Sequence, residues 1–200
     1  VSIVTPSFNQ GEFIERTINS VLNHSYQNIE YCIQDGGSTD NTVEIIKKYD
    51  KKIFQWKSEK DSGQSQAINR GFGNTSGEIM AWLNSDDILF PGAVSAIVEY
   101  FQTHPEIDVV YGDRLNIDEN DMEIGRWILP KKHDNDVLSY ADYIPQETMF
   151  WRRSIWEKSG SKIDESFRFA MDWDLIVRFR DSGANFSHIQ RLIGGFRIHS

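Results

Sequence analysis

Residues 78–89 read EIMAWLNSDDIL. An apolar run from Ile79 to Leu83, patterned as a buried strand, empties directly into Asn84-Ser85-Asp86-Asp87 and then turns apolar again. Two carboxylates about 4 Å apart repel by roughly 1 kcal/mol in water and about 4 kcal/mol near a protein surface. A buried strand that ends in such a pair calls for something to offset the repulsion. Turn and helix-entry chemistry, which favours Asp, is one explanation; a bound cation is another.

Upstream, Val1–Thr5 is a short apolar run stopped by Pro6, and Phe13, Ile14, Thr17, Ile18, Val21 and Leu22 fall on one helical face. Ile29–Gln34 reads as a second strand ended by Asp35-Gly36-Gly37, and Thr39 or Asp40 caps a helix that turns Val43, Ile46 and Tyr49 inward. Ile53–Trp56 is a third strand, and Asp61–Gly71 a loop followed by a helix. Downstream of the acid pair, Pro91 opens a helix with Val94, Ile97, Val98 and Phe101 on one face, and Asp108–Tyr111 is a fifth strand. Strands alternating with helices predict an α/β chain with a mostly parallel sheet covered by helices on both faces.

The second half reads differently. Arg114–Asp118 and Glu123–Trp127 flank the polar tip Glu119-Asn120-Asp121 as in a hairpin. A short strand, Thr148–Trp151, follows Pro145, then helices over Ser154–Ser159 and Trp173–Asp181, then strands over Asn185–Ile189 and Ile193–Ile198. This predicts one continuous domain over 1–200, with 1–113 as a nucleotide-binding half and 114–200 completing a cleft.

In open parallel sheets ligands bind beyond the carboxyl ends of the strands. That rule gathers Asp35, Asp61, Asp86, Asp87 and Asp113 on one rim, each following a predicted strand. Such a rim attracts a hard divalent cation, which prefers carboxylate and water oxygens.

Composition narrows the alternatives. The 200 residues are 39% apolar and 12% aromatic, which supports a sizeable core and excludes disorder. No apolar run approaches the roughly 20 residues of a membrane span. The net charge of −9 argues against a nucleic-acid backbone as partner. Lys131-Lys132-His133 and Arg152-Arg153 are too short for a polybasic signal. The single cysteine, Cys32, forbids an internal disulfide and reads as a small core residue. The chain opens at Val1 without methionine and stops at Ser200, which reads as a piece of a longer protein. No GxSxG, HExxH, CxxC or P-loop is present, and Gly71-Phe72-Gly73 does not continue as a dinucleotide fingerprint. His24, His104, His133 and His188 read as surface or structural.

Taken in order, SIVTPSFNQGEFIERTINSVLNHSY, IQDGGSTDNT, SGQSQAINRGF, GEIMAWLNSDD, VVYGD, IPQETMFWRR, AMDWDLIVRF and FRIHS resemble a family 2 glycosyltransferase across nearly the whole chain. The resemblance implies a GT-A fold: a Rossmann-like, mostly parallel central sheet with helices on both faces and a smaller antiparallel sheet on the acceptor side. It implies that Thr5, Pro6 and the segment to Asn9 form a loop beneath the nucleotide, that Asp35 accepts a hydrogen bond from uracil N3–H, and that Asp61 and Arg70 flank the base. Asp86-Asp87 stands where the family's DxD metal motif ends, with Asn84 at its first position. Asp87 is then expected to bind Mn²⁺ or Mg²⁺ directly, with Asp86 turned to the ribose or the metal, and His199 lies near the diphosphate and metal. Asp172 in AMDWDL aligns with the catalytic base, and Met171 replaces a Glu usual before it. Gln146, Glu147 and Trp173 are expected at the acceptor, with Glu147 an alternative base and Trp151 an alternative stacking platform.

The chemistry implied is inverting transfer of a sugar from a nucleotide-sugar, a UDP-sugar, to a hydroxyl of a glycan or lipid-linked glycan. The setting implied is bacterial polysaccharide or glycolipid synthesis, cytoplasmic, with peripheral association at the inner face of a membrane. A sugar-nucleotide pyrophosphorylase and a non-catalytic nucleotide- or sugar-binding module are the rival readings.

Overall fold

The computed structural model describes residues 1–199. Nine strands form one sheet: β1 (Ser2–Ser7), β2 (Glu30–Asp35), β3 (Gln55–Ser58), β4 (Ile79–Trp82), β5 (Ile88–Leu89), β6 (Val109–Ile117), β7 (Glu123–Trp127), β8 (Phe150–Arg152) and β9 (Phe186–Arg197). Their order is β3-β2-β1-β4-β8-β6-β9-β5, with β7 paired to β6. The first four are mutually parallel, β8 is antiparallel to both its neighbours, and β6 and β9 are parallel again. The hairpin of β6 and β7 and the short β5 on β9 add antiparallel edges on the side of the second half.

Six helices cover the two faces: α1 (Ile14–Leu22), α2 (Thr42–Lys48), α3 (Gln64–Phe72), α4 (Ala93–Thr103), α5 (Arg153–Lys158) and α6 (Met171–Asp181). Pleating sends successive strand residues to opposite faces, and the two cores record it. Ile79, Ala81 and Leu83 join Ile14, Ile18, Ile46 and Ile97 in one core, under α1, α2 and α4. Met80 and Trp82 join Ile68, Phe72, Trp156 and Phe179 in the other, under α3, α5 and α6. Both faces of β4 are dry, so its sequence is apolar without alternation, as a doubly covered strand requires. At Gly71 of α3 a Cβ would come within 2.4 Å of Val4 Cγ1, so only glycine lets this helix settle onto β1.

Several boundaries differ from the sequence expectation. β1 runs through Pro6 to Ser7, paired with β2 as far as Asp35. Pro6 shares the parity of Val4, whose carbonyl accepts the Leu83 N–H, and the β4 ladder ends at Val4; the missing N–H therefore deprives no partner. β3 lies two residues later than Ile53–Trp56, because a half-polar edge strand carries little apolar signal. In α2 the inward residues are Thr42, Ile45 and Ile46, with Val43 and Tyr49 only partly covered. The two expected C-terminal strands are one continuous strand, β9, whose register against β6 slips around Asp113 and whose polar middle, Gln190 and Arg191, is exposed.

Asp113 is a correction to the expected rim. β6 does not stop at Tyr111 but continues through Asp113 into the hairpin. Buried mid-strand, Asp113 Oδ1 accepts the Leu129 N–H and faces His188 Nε2, both at 2.9 Å. It ties the sheet to the following segment. No described helix is long and apolar enough to cross a membrane.

Candidate active site

The carboxyl ends of β1, β2 and β4, with the N-terminal turn of α3, enclose a cavity of about 720 Å³. Pro6, Ser7 and Phe8 supply one wall, Gly63, Gln64 and Ala67 another. Gly36, Gly37, Lys60 and Asp61 line it after β2 and β3, and Asn84, Ser85 and Asp86 after β4. The strand end quoted at the outset thus lines a cleft.

Around that end the two acids diverge. Asp86 lines the cavity, and its Oδ2 lies 3.1 Å from His199 Nε2. Asp87 is 1% exposed and turned inward, where its Oδ1 accepts the Arg197 N–H at 2.9 Å. Burial first, then the charges of Glu147 and Asp86, push the Asp87 carboxyl well above the usual range, against the pull of the Arg197 N–H. Asn84 explains itself here. Its amide nitrogen points to Asp87 Oδ2 (3.3 Å) and Gln146 Oε1 (3.4 Å), while its oxygen accepts from Gln64 Nε2 (2.7 Å). An Asp at 84 would set another carboxylate against Asp87.

Two further residues hold the turn, and sequence reading gave neither a role. Arg197 is buried and reaches the Asp86 carbonyl with Nε (2.7 Å) and the Asp118 carbonyl with Nη1 (2.7 Å). The Thr17 hydroxyl of α1 sits 2.9 Å from the Ser85 carbonyl and 2.7 Å from that of Asp87. Spacing gave no cue for either, because an Arg beside a strand's end and a Thr on a helix's inner face look like ordinary surface and core positions.

The residues expected near the base separate. Asp35 is enclosed by its own loop, accepting from the N–H groups of Gly37 (3.1 Å) and Ser38 (3.0 Å) and the hydroxyls of Ser38 and Ser58. Thr5 is buried against the Tyr31 hydroxyl (3.0 Å). Asn9 adopts a left-handed backbone (φ 52°) and clasps the neighbouring loop through Ser38 Oγ and the Thr39 N–H. Arg70 pairs with Glu59 at 3.2 Å, behind the cavity. Of this group, Pro6 and Asp61 line the cavity.

Of the acceptor candidates, Gln146 and Glu147 belong to the framework. Gln146 Nε2 donates to the Trp82 carbonyl at 2.8 Å. Glu147 is gripped by Arg114, Nε to Oε1 at 2.7 Å and Nη2 to Oε2, which removes it as an open base. Arg114 in turn lies between the Phe196 and Trp127 rings, 4.5 and 5.3 Å from their centroids. Trp151 is fully buried beside Trp82 and Phe72, out of reach of any sugar. Trp173 donates its indole N–H to the Leu138 carbonyl at 2.9 Å, locking α6 to the turn at Val137–Ser139.

Asp172 lies in the first turn of α6, where carboxylates favour the positive end of the helix dipole. Met171 is buried with its sulfur 2.9 Å from Ser65 Oγ of α3, so the residue standing where the family usually shows Glu is an apolar peg that docks α6 on the cavity wall. Asp174 is engaged by Arg178 at 2.8 Å, whereas Asp172 Oδ1 only accepts the N–H of Trp173. Close by stands Asp142, which sequence reading passed over. Crowding of its carboxyl by the protein, then the charge of Asp172, lift it to about 6, against the pull of Arg114.

Asp86 lines the cavity and its Oδ2 faces His199 Nε2, a carboxylate and an imidazole of the kinds a divalent cation completed by phosphate and water oxygens accepts. The raised Asp87 carboxyl behind them is what a nearby cation would relieve. Among the described residues there is no preformed group of three His, Cys, Asp or Glu ligands.

Residues 2–160 match the family model described as glycosyl transferase family 2. The chain is 29% identical over 201 residues to a chondroitin synthase of Escherichia coli, covering all of this chain and 29% of that one. It is 33% identical over 155 residues to the glycosyltransferase GlyG of Streptococcus pneumoniae, covering 76% of this chain and 51% of that one. The chain therefore spans about half or less of these relatives' length. Among solved structures, S. aureus TarS 1-349 in complex with UDP-GlcNAc superimposes with a TM-score of 0.83 at 16% identity, covering 100% of this chain and 58% of that one. The mannosyltransferase PcManGT from Pyrobaculum calidifontis, in complex with GDP-Man and Mn²⁺, gives 0.74 at 15% identity, covering 98% and 56%. These two likenesses concern the fold, which is that of the GT-A glycosyltransferases.

Proposed function

Because this chain belongs to glycosyl transferase family 2, we propose that it moves a sugar from a UDP-sugar to an acceptor hydroxyl with inversion at the anomeric carbon. The observation that carries the reading is the arrangement at the sheet's carboxyl rim. One cavity is lined by both Asp61 and Asp86, and the helix bearing Asp172 is docked on α3 through Met171.

The nucleotide lies along the cavity with its base toward Gly36, Gly37 and Asp61 and its diphosphate toward Asp86. Asp86 and His199 would hold a divalent ion, Mn²⁺ or Mg²⁺, which when bound would supply charge neutralisation for the departing diphosphate. Asn84, Gln146, Thr17 and Arg197 hold the turn that presents Asp86. Asp172 accepts the proton of the acceptor hydroxyl, whose oxygen forms the new glycosidic bond as the bond from the anomeric carbon to the diphosphate oxygen breaks. Neutral Trp173 and buried Met171 fix the helix so that Asp172, not Asp174, is the free carboxylate.

The acceptor is a glycan or lipid-linked glycan of a bacterial polysaccharide or glycolipid, met at the cytoplasmic face of a membrane. Relatives named for polysaccharide synthesis support that choice.

The test is a panel of UDP- and GDP-sugars with Mn²⁺ and candidate glycan acceptors, read by nucleoside diphosphate release and by NMR of the product's anomeric proton. UDP release with inverted configuration is expected. Pyrophosphate formed from a nucleoside triphosphate and a sugar phosphate would instead make the protein a pyrophosphorylase. Nucleotide binding without any transfer would make it a binding module.

A further inference from the structure

Resting on the glycosyltransferase reading, the chemistry of the acceptor can be traced to the loop that leads into α6. Residues 165–170 are exposed throughout, and Phe169, at 85%, is the most exposed large apolar side chain among the described residues. Phe167 is exposed on the other side of Arg168. Among the described residues, Arg168 and Arg191 are the arginines that make no hydrogen bond or ion pair. A lone exposed apolar side chain is ordinary. Two phenylalanines bracketing an unpaired cation, in a chain of net charge −9, are not.

The loop is tied down at both ends. Asn69 of α3 accepts the Ile163 N–H at 2.7 Å and donates to the Ile163 carbonyl at 2.9 Å and to Glu165 Oε1 at 3.0 Å. Gln66 of the same helix donates to Glu165 Oε2 at 3.1 Å. At the far end Met171 is buried on Ser65. Between these anchors Ala170 takes the left-handed conformation (φ 56°), which residues other than glycine rarely adopt. That reversal separates the exposed Phe169 from the buried Met171. Strain of this kind persists only where the surroundings impose it, and it concentrates at ligand sites. Phe169 precedes Asp172 by three residues, so their Cα atoms lie at most about 11 Å apart. A sugar ring on Phe169 is therefore within a short glycan's length of the Asp172 carboxylate.

We infer that Phe167-Arg168-Phe169 receives the acceptor, and that the acceptor is an anionic glycan. Phe169 offers a flat apolar face to the C–H bonds of a sugar ring, and Phe167 a second one beside it. Arg168 offers a planar fork that pairs bidentately with a carboxylate or a phosphate on the glycan. The tie to α3 sets this element at a fixed place beside the helix that carries Asp172. A lipid surface is the weaker match. The loop brings one cation, with Asp164 and Glu165 next to it, whereas anionic membranes are bound by clusters of about four to eight.

Calorimetry tests this with the protein first saturated with UDP and Mn²⁺ and then titrated with three probes. These are a tetrasaccharide alternating N-acetylglucosamine with glucuronate, a glycerol phosphate oligomer, and neutral chitotetraose. The wild type should bind one anionic probe at least about tenfold more tightly than chitotetraose, and the preferred probe assigns the carboxylate or the phosphodiester. Arg168→Gln should lose that preference and leave chitotetraose unchanged, and Arg168→Lys should keep part of it. Arg191→Gln makes the same change of net charge elsewhere and should alter nothing. Phe169→Ala should weaken all three probes by about three- to tenfold, and Phe169→Tyr should restore them. The inference is overturned if neither anionic probe outbinds chitotetraose, if Arg191→Gln acts as Arg168→Gln does, or if Phe169→Ala binds as the wild type. It is also overturned if the wild type sediments with phosphatidylglycerol vesicles and Phe169→Ala does not, which would make the loop a membrane contact. With UDP bound, any of these outcomes removes this inference alone. Failure of the wild type to bind UDP removes the nucleotide-sugar reading and this inference with it.

Discussion

Arg114 grips Glu147 with two parallel hydrogen bonds, Nε to Oε1 at 2.7 Å and Nη2 to Oε2, where the glutamate side chain is 1% exposed. The pair joins β6 to the turn at Gln146–Thr148, and that turn reaches Asn84 through Gln146. Taking one partner away leaves the other charged and buried, which costs about 3–5 kcal/mol. Glu147→Ala and Arg114→Met should each lose that much in urea denaturation. The double variant Arg114→Met/Glu147→Leu should recover most of it, because no charge is then left without its partner. Equal losses in single and double variants would show that packing on Phe196 and Trp127, not charge, is what counts.

Much of this architecture was legible in the chain because burial on both faces writes itself as uninterrupted apolar runs, as in Ile79–Leu83. Asp86 could be found from topology alone, since it follows a strand whose end the apolar pattern marks, and Asp61 from its place in the loop after β3, although the pattern put that strand two residues early. Asp113 misled for the same reason: the apolar run stops at Tyr111 while the strand continues with polar residues. Arg114, Arg197 and Asp142 were silent. Their roles depend on contacts 33, 110 and 111 residues away for the first two, through Glu147, Asp87 and Asp86, and on the approach of a loop to α6 for the third. Periodicity carries no trace of such long-range pairing. The reversal of Asp86 and Asp87, one facing the cavity and the other buried, is likewise a matter of turn geometry that two identical letters cannot encode.

Asp142 gives a pH signature. Its carboxyl is lifted from 3.8 to about 6, by crowding first and by Asp172 second. Between those values the folded chain holds a proton that the unfolded chain has released, so this group makes stability fall as pH rises from about 4 to about 6. Above that range the full penalty applies. Asp142→Asn removes the group, so its stability relative to wild type should improve across that window and then level off. Chemical denaturation at a series of pH values checks this, and a difference that stays flat from pH 4 to pH 7 would refute it.

Divalent cation binding separates the two adjacent acids. Asp86 lines the cavity and meets His199 at 3.1 Å, whereas Asp87 is buried and bound to the Arg197 N–H. Manganese titration followed by electron paramagnetic resonance should find binding in the presence of UDP weakened by Asp86→Asn and by His199→Ala, each by roughly tenfold, equivalent to about 1.4 kcal/mol. Asp87→Asn should instead show as altered thermal stability, since it changes a buried carboxyl. Intact manganese binding in Asp86→Asn with loss in Asp87→Asn would restore the deeper acid as the ligand.

Asp172 and Asp174 share the first turn of α6 and are separated in function by a single ion pair. Asp174 is bound by Arg178 at 2.8 Å across one helical turn, while Asp172 Oδ2 has no hydrogen-bond partner among the described residues. A carboxylate already held by a guanidinium is not free to meet an acceptor hydroxyl. Asp172→Asn should therefore lower kcat by about 10²–10⁴, the usual share of a general base, with UDP affinity unchanged by calorimetry. Asp174→Asn removes only a partly exposed i,i+4 pair, worth about 0.3–0.5 kcal/mol, and should leave kcat within a few-fold of wild type. Glu147→Gln supplies the third arm, since its carboxylate is closed off by Arg114 and should not set the pH–rate profile. The assignment rests on order of effect: if Asp174→Asn or Glu147→Gln abolishes transfer while Asp172→Asn turns over at the wild-type rate, the proton leaves by another route.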